Sequence, residues 1–288
     1  VRSLLSAGCG RVVVVVGHQA DAVEAMLRAQ FPDADLAFAF QDQPLGTGHA
    51  TLCAEAAATG ADRLLLINGD LPLVRPETLA TLLATLSPAI PFVVTGATLA
   101  DPAGFGRLVR DSDGNLIEIV EDRDATPTQS AIREANVGIY AATGASLFTA
   151  LHRVGTANAK GEYYFTDVVR LLRGDGARVG VFMLPDDDEA CQVNDRDGLA
   201  RVEARLHARK AQSLMAAGVT LHRPETILID DDCEVGPDTE VWPGVIMNRA
   251  TQVGSGCDIG PGAVLSGVAL GNGTRVRPYC VLTDAHVG

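Results

Sequence analysis

The apolar positions of this chain fall into two regimes. Val12–Val16 is an unbroken β-branched run, the pattern of a strand buried on both faces of a parallel sheet. Gly17 and His18 end it. Residues 21–31 place Val23, Met26, Leu27 and Phe31 at helical spacing. Short apolar strands follow at 36–40, 64–67 and 91–95, with helical segments at 49–58 and 76–86. Residues 108–109 and 116–120 flank the turn 112–115 (Ser-Asp-Gly-Asn) and predict a hairpin. A helix at 167–172 and a strand at 179–184 complete the series. Alternation of short strands and helices predicts a doubly wound, Rossmann-like α/β domain.

The second regime begins near residue 196. Leu199, Val202, Leu206, Leu214 and Met215 suit one face of a long helix, with Gly218 as its stop. Beyond it, Ile229, Val235, Val241, Met247, Val253, Ile259 and Leu265 recur every six residues. After a one-residue slip, Leu270, Val276 and Leu282 continue. Gly236, Gly254 and Gly260 follow three of these aliphatics. A hexad of this kind predicts a β-helix solenoid, whose coils need neighbours to bury their faces. The predicted domains are therefore 1–195, a linker helix over 196–218, and solenoid coils over 219–288.

Composition narrows the function classes. The 288 residues are 47% hydrophobic and 20% charged, with a formal net charge of -13. That is globular, and an acidic chain is a poor partner for nucleic acid. The longest early apolar run is too short to span a bilayer. Six scattered cysteines, with no CxxC and no His at metal-ligand spacing, predict reduced thiols in a cytoplasmic protein.

The candidate chemistry is concentrated in 41–50 (Gln-Asp-Gln-Pro-Leu-Gly-Thr-Gly-His-Ala) and 66–72 (Leu-Ile-Asn-Gly-Asp-Leu-Pro). The first is a strand–loop–helix junction whose glycines admit close backbone approach. The second puts Asp70 just past a strand, where α/β sheets bind ligands. An Asx turn toward Pro72 is the competing reading. The run Asp186-Asp187-Asp188-Glu189 reads as a solvated loop, and His207 as a helix-surface residue without a partner.

The string Leu45-Gly46-Thr47-Gly48-His49-Ala50, preceded by Gln41, resembles the uracil-reading loop of the sugar-1-phosphate nucleotidyltransferases. The match is best to the bifunctional N-acetylglucosamine-1-phosphate uridylyltransferase/glucosamine-1-phosphate acetyltransferase family. It recurs in order through Asn68-Gly69-Asp70, Gly104-Phe105-Gly106-Arg107, Glu121, Asn136-Val137-Gly138, residues 161–167 and Asn194, and then the hexapeptide tail.

The resemblance implies uridylyl transfer from UTP to N-acetylglucosamine-1-phosphate, giving UDP-N-acetylglucosamine and pyrophosphate for cell-wall and lipopolysaccharide precursors. Gln41, Gly46 and Thr47 would hold the base, the Gln41 amide both donating to and accepting from uracil. Asn68, Gly69, Gly106, Glu121, Asn136, Tyr163, Thr166 and Asn194 would line the substrate pocket. The aromatics at 163–165 also read as core. Asp70 and Asn194 match the family's Mg²⁺ ligands. The solenoid would be a left-handed β-helix that trimerises, and the parent protein would use acetyl-CoA to acetylate glucosamine-1-phosphate.

The family's Gly-rich phosphate loop, with its Arg and Lys, would precede Val1, and the acetyltransferase residues would follow Gly288. The expectation is therefore a segment with impaired turnover and no retained catalytic cation. Two alternatives stay open: another sugar-1-phosphate nucleotidyltransferase with a β-helix tail, and a non-catalytic nucleotide-sugar-binding or assembly subunit.

Overall fold

The computed structural model describes residues 1–288, which form two compact units, Val1–Cys191 and Gln192–Gly288. In the first, α1 (Arg2–Ser6), β1 (Val12–Val16), α2 (Ala20–Gln30), β2 (Leu36–Phe40) and α3 (Thr47–Cys53) open the chain. They are followed by β3 (Arg63–Ile67), α4 (Pro76–Ala84), β4 (Phe92–Thr98), β5 (Gly106–Arg110), β6 (Leu116–Val120) and α5 (Pro127–Ser130). The unit closes with β7 (Glu134–Thr143), α6 (Gly144–Leu151), α7 (Asp167–Gly174) and β8 (Val179–Met183).

The α/β class holds, but the sheet is mixed. β1 and β2 form a parallel ladder of their own. The main sheet runs β6-β5-β7-β4-β8, with β3 also paired to β7. β7 is antiparallel to β3, β4 and β5, while β4 and β8 are parallel. β7 is long enough to pair with β5 at its start and β3 at its end.

Strand alternation sends its residues to two cores. Tyr140 and Ala142 join Phe92, Leu147, Leu151, Phe165 and Val168 on one face. Val137, Ile139 and Ala141 join Leu71, Leu79, Leu82 and Val93 on the other. Helices α6 and α7 supply the first core and α4 the second, so both faces of the sheet are covered.

The acidic run departs from its expected solvated state. Glu189 is fully buried; it accepts from the Arg75 N–H at 2.9 Å and the Thr78 hydroxyl at 2.9 Å. Arg75 also binds Asp186. Asp186 and Glu189 thus clamp the first turn of α4, where orphan N–H groups attract carboxylates, while Asp187 stays exposed as expected.

In the second unit, α8 (Arg196–Ala216) carries a cap in which Asp195 accepts from the Gly198 N–H. Its buried residues are Gly198, Val202, Ala211 and Leu214. Ala211 and Leu214 pack into the solenoid core. Leu199, Leu206 and Met215, expected on that face, are exposed, because the packed stripe is narrower than the apolar pattern. His207 is not a partnerless surface group: its Nδ1 meets the Ile229 carbonyl at 3.2 Å.

The coils build three parallel four-stranded ladders. Residues pair first 20 apart, as in Thr220↔Glu240, then 18 apart, as in Leu228↔Ile246 and Glu240↔Asp258, and then 17 apart, as in Gln252↔Ala269 and Val264↔Val281. The sequence slip is thus one residue deleted from a corner without loss of pairing. Met247, Ile259 and Leu265 are fully buried, and the other hexad aliphatics point inward with them. A Cβ on Gly254 would stand 2.5 Å from Asn272 Oδ1 and 2.8 Å from its N. Glycine there makes room for the next coil as well as for the corner. All six cysteines are free thiols.

Candidate nucleotide site

The end of β2 delivers Gln41 beside the end of β1, its N–H bonded to the Val16 carbonyl. Gly46 then takes φ +105°, and a Cβ there would sit 2.7 Å from the Tyr163 carbonyl oxygen. Only glycine fits. The loop is tied to residues 163–165 mainly by backbone. Tyr163 N–H donates to Leu45 O at 2.8 Å, and Gly48 N–H donates to Tyr163 O at 2.8 Å. Phe165 N–H donates to Thr47 Oγ1 at 3.2 Å. Tyr163 therefore acts through its main chain, while its ring lies 6.2 Å from that of His49.

Within the loop, Gln41 Nε2 lies 3.2 Å from the Gly46 carbonyl and 3.0 Å from His49 Nδ1. A carbonyl only accepts, so the atom facing it is the amide NH₂. The donor half of Gln41 is spent inside the protein. The sequence expectation of an amide both donating and accepting is corrected to one that presents Oε1.

The same segment reaches a second group of site residues. Thr166, buried, donates its hydroxyl to Glu121 Oε1 at 2.8 Å. Burial pushes the Glu121 carboxyl above its ordinary range, partly offset by the Thr166 bond and the Lys160 charge. Glu121 is thus an engaged acceptor and no free surface charge. Asp124 accepts from the Ala159 N–H at 3.0 Å, and Asn158 Oδ1 accepts from Lys160 N–H and Glu162 N–H. Sequence reasoning missed Asp124 and Asn158; Asn158 is a turn-forming residue three positions ahead of Gly161, a signal that was available.

Gly106 pairs with Asn136 across β5 and β7. A Cβ on Gly106 would lie 2.9 Å from Ile119 Cγ2. Asn136 is buried and donates to the Tyr140 hydroxyl at 2.7 Å. Burial keeps that phenol protonated far above the ordinary range. Arg107, also buried, is held by Asp122 at 2.8 Å, which accepts the Gly104 N–H as well.

Gly138, at φ +83°, closes onto Asn68: a Cβ would meet Asn68 Nδ2 at 2.4 Å. Asn68, Gly69 and Asp70 follow β3 at its carboxyl end. One Asp70 carboxylate oxygen, Oδ1, is buried without a hydrogen-bond partner. Burial raises the Asp70 pKa, its own backbone N–H opposing. Such an oxygen is costly unless a cation or donor engages it. The residues therefore fit Mg²⁺, which takes few protein oxygens and fills its sphere with phosphate and water.

A chain of contacts thus joins Gln41, Gly46 and Thr47 through 163–166 to Glu121. Another joins Gly106 and Asn136 through Gly138 to Asn68. The Tyr140 and Phe165 rings, 4.6 Å apart, connect the two. Asn194 belongs to the second unit, exposed, with Nδ2 directed at Gln192 Oε1.

The MobA-like NTP transferase domain matches residues 1–158. The chain belongs to that family. This NTP transferase is also similar along nearly its whole length to curated proteins named bifunctional protein GlmU. It is 44% identical to the one from an Anaeromyxobacter species over 99% of this chain and 58% of that protein. For Syntrophotalea carbinolica the identity is 43% over 100% of this chain and 61% of the relative. For Geobacter sulfurreducens it is 42% over 92% and 55%. The chain spans about three fifths of the length of the first of these relatives. The NTP transferase has no helix long and apolar enough to cross a membrane.

Proposed function

We propose that this NTP transferase takes part in uridylyl transfer from UTP to N-acetylglucosamine-1-phosphate, releasing pyrophosphate. The attacking oxygen is already an anion, so the protein need supply no nucleophile. Alignment and charge neutralisation carry such a reaction. The observation that carries the reading is the backbone tie between 45–48 and 163–165. It supports a site in which a base held by Gln41, Gly46 and Thr47 and a sugar held by Glu121, Thr166, Asn136 and Gly106 share one rigid frame.

Asp70 would hold Mg²⁺ together with substrate phosphates; when bound, the ion would neutralise charge on the phosphates. Asn194 enters the proposal from the family resemblance alone. Acetyl-CoA chemistry remains part of the same proposal, and the word bifunctional in the relatives' name speaks for a second activity in those proteins. Cytoplasmic placement and trimerisation belong to it too. Leu228, Ile246, Val264 and Val281 stack in register on the outside of one ladder, and Leu228 and Val281 are exposed, as a self-associating face requires.

Titration calorimetry with UDP-N-acetylglucosamine and Mg²⁺, beside UDP-glucose and an Asp70→Ala variant, tests the reading. Selective binding of the N-acetyl sugar, weakened in the variant, is expected. Equal binding of both sugars would remove the substrate assignment, and no binding would remove the site.

A further inference from the structure

We infer that His49 is a positioning residue for base selection: by accepting from the Gln41 amide it locks Oε1 outward, so that the site takes a base with a ring N–H. The inference rests on the uridylyl reading above and deepens it. The Gln41 NH₂ has two protons and two acceptors within 3.2 Å, Gly46 O and His49 Nδ1. Both protons are therefore committed. For Nδ1 to accept, the imidazole proton must be on Nε2. The ring is steadied by Tyr163 at 6.2 Å, and Tyr163 is bound to the loop on both sides.

What remains for a ligand is Oε1, which has no protein partner and is open to solvent. In the same loop, the N–H groups of Gly46 and Thr47 make no backbone hydrogen bond. The ribose link at N1 fixes the pose of a pyrimidine. In that pose uracil presents N3–H, a donor, where cytosine presents a lone pair. An acceptor-only Gln41 bonds the first and repels the second. Rotating the amide to suit cytosine would turn Oε1 against the Gly46 carbonyl and would require the His49 proton to move from Nε2 to Nδ1.

The contribution of His49 is thus a difference in affinity between two bases, built by making the wrong orientation costly. A residue that merely supported the loop would change affinity for both bases alike.

The test is calorimetric titration of the full chain and its variants with UDP and with CDP, each with Mg²⁺. Wild type is expected to prefer UDP. His49→Ala is expected to reduce the UDP-to-CDP affinity ratio by at least about fivefold. His49→Asn, which returns an acceptor oxygen near the Nδ1 position, is expected to restore most of it. An unchanged ratio in His49→Ala, or a parallel loss for both nucleotides, would overturn the role of His49 and leave the uridylyl reading standing. Equal binding of UDP and CDP by wild type would overturn the inference, and binding of neither would remove the reading beneath it as well.

Discussion

Thr166 donates its hydroxyl to Glu121 across 2.8 Å, at the point where the segment tied to the base loop enters α7. The pair joins a buried hydroxyl to a carboxyl whose pKa burial has raised. The sign of its effect on stability follows. A raised carboxyl keeps its proton longer in the folded chain. Its favourable contribution is complete below the unfolded value, 4.5, and is lost as pH rises through the higher folded value. Glu121→Gln removes that loss and keeps an acceptor for Thr166. In thermal melts across pH 4 to 8, the variant should gain on wild type as pH rises from about 4.5. Parallel curves would refute it.

Asp70→Asn should separate stability from binding. The unpartnered Oδ1 loses its share of charge, so the melting temperature should rise by about 2 °C at neutral pH. Mg²⁺-dependent binding of UDP-N-acetylglucosamine should weaken by at least about tenfold. A melt and a titration on one sample check both, and a variant that binds normally would remove Asp70 from the site.

Gly46→Ala places a methyl group 2.7 Å from the Tyr163 carbonyl oxygen at φ +105°. The loop must leave residues 163–165. Affinity for uridine nucleotides should fall by about two orders of magnitude, with a stability cost of about 1–3 kcal/mol. Gly60→Ala, also at positive φ but with open space at Cβ, serves as the comparison: strain without collision, and binding retained.

Glu189→Ala should cost about 2–4 kcal/mol in urea unfolding, because it strands two donors, Arg75 N–H and Thr78 Oγ1, at the start of α4. Asp187→Ala, in the same run, should cost less than about 0.5 kcal/mol.

The strands of the first unit and the inward positions of the coils were legible because periodicity is written in residue type. The hexad survives its slip for the same reason. β7 was not legible as a whole: only its partners tell that Glu134–Thr143 runs against both β3 and β4. Glu189 looked like its three neighbours because burial depends on helix α4, more than a hundred residues away. The sequence offers Tyr163 and Asn136 as candidates, but not how they are held. One works through its main chain, and the other has its amide donating to a phenol. The separation of Gln41's donor from its acceptor needed the folded loop, since sequence gives the amide and not its rotation.

The change from 18-residue to 17-residue pairing along the solenoid has a consequence for rebuilding it. The 18-residue coils before the shortened corner are interchangeable modules, unlike the first coil, which pairs 20 residues apart: a duplicate of residues 228–245 spliced in after 245 would keep every ladder in phase and every aliphatic inward. A copy of the coil that carries the shortened corner would add 17 residues instead of 18 and still keep its aliphatics inward, because the ladders pair through that corner. Coil length can thus vary at a corner while the ladders, not the count of residues, hold the stack in phase.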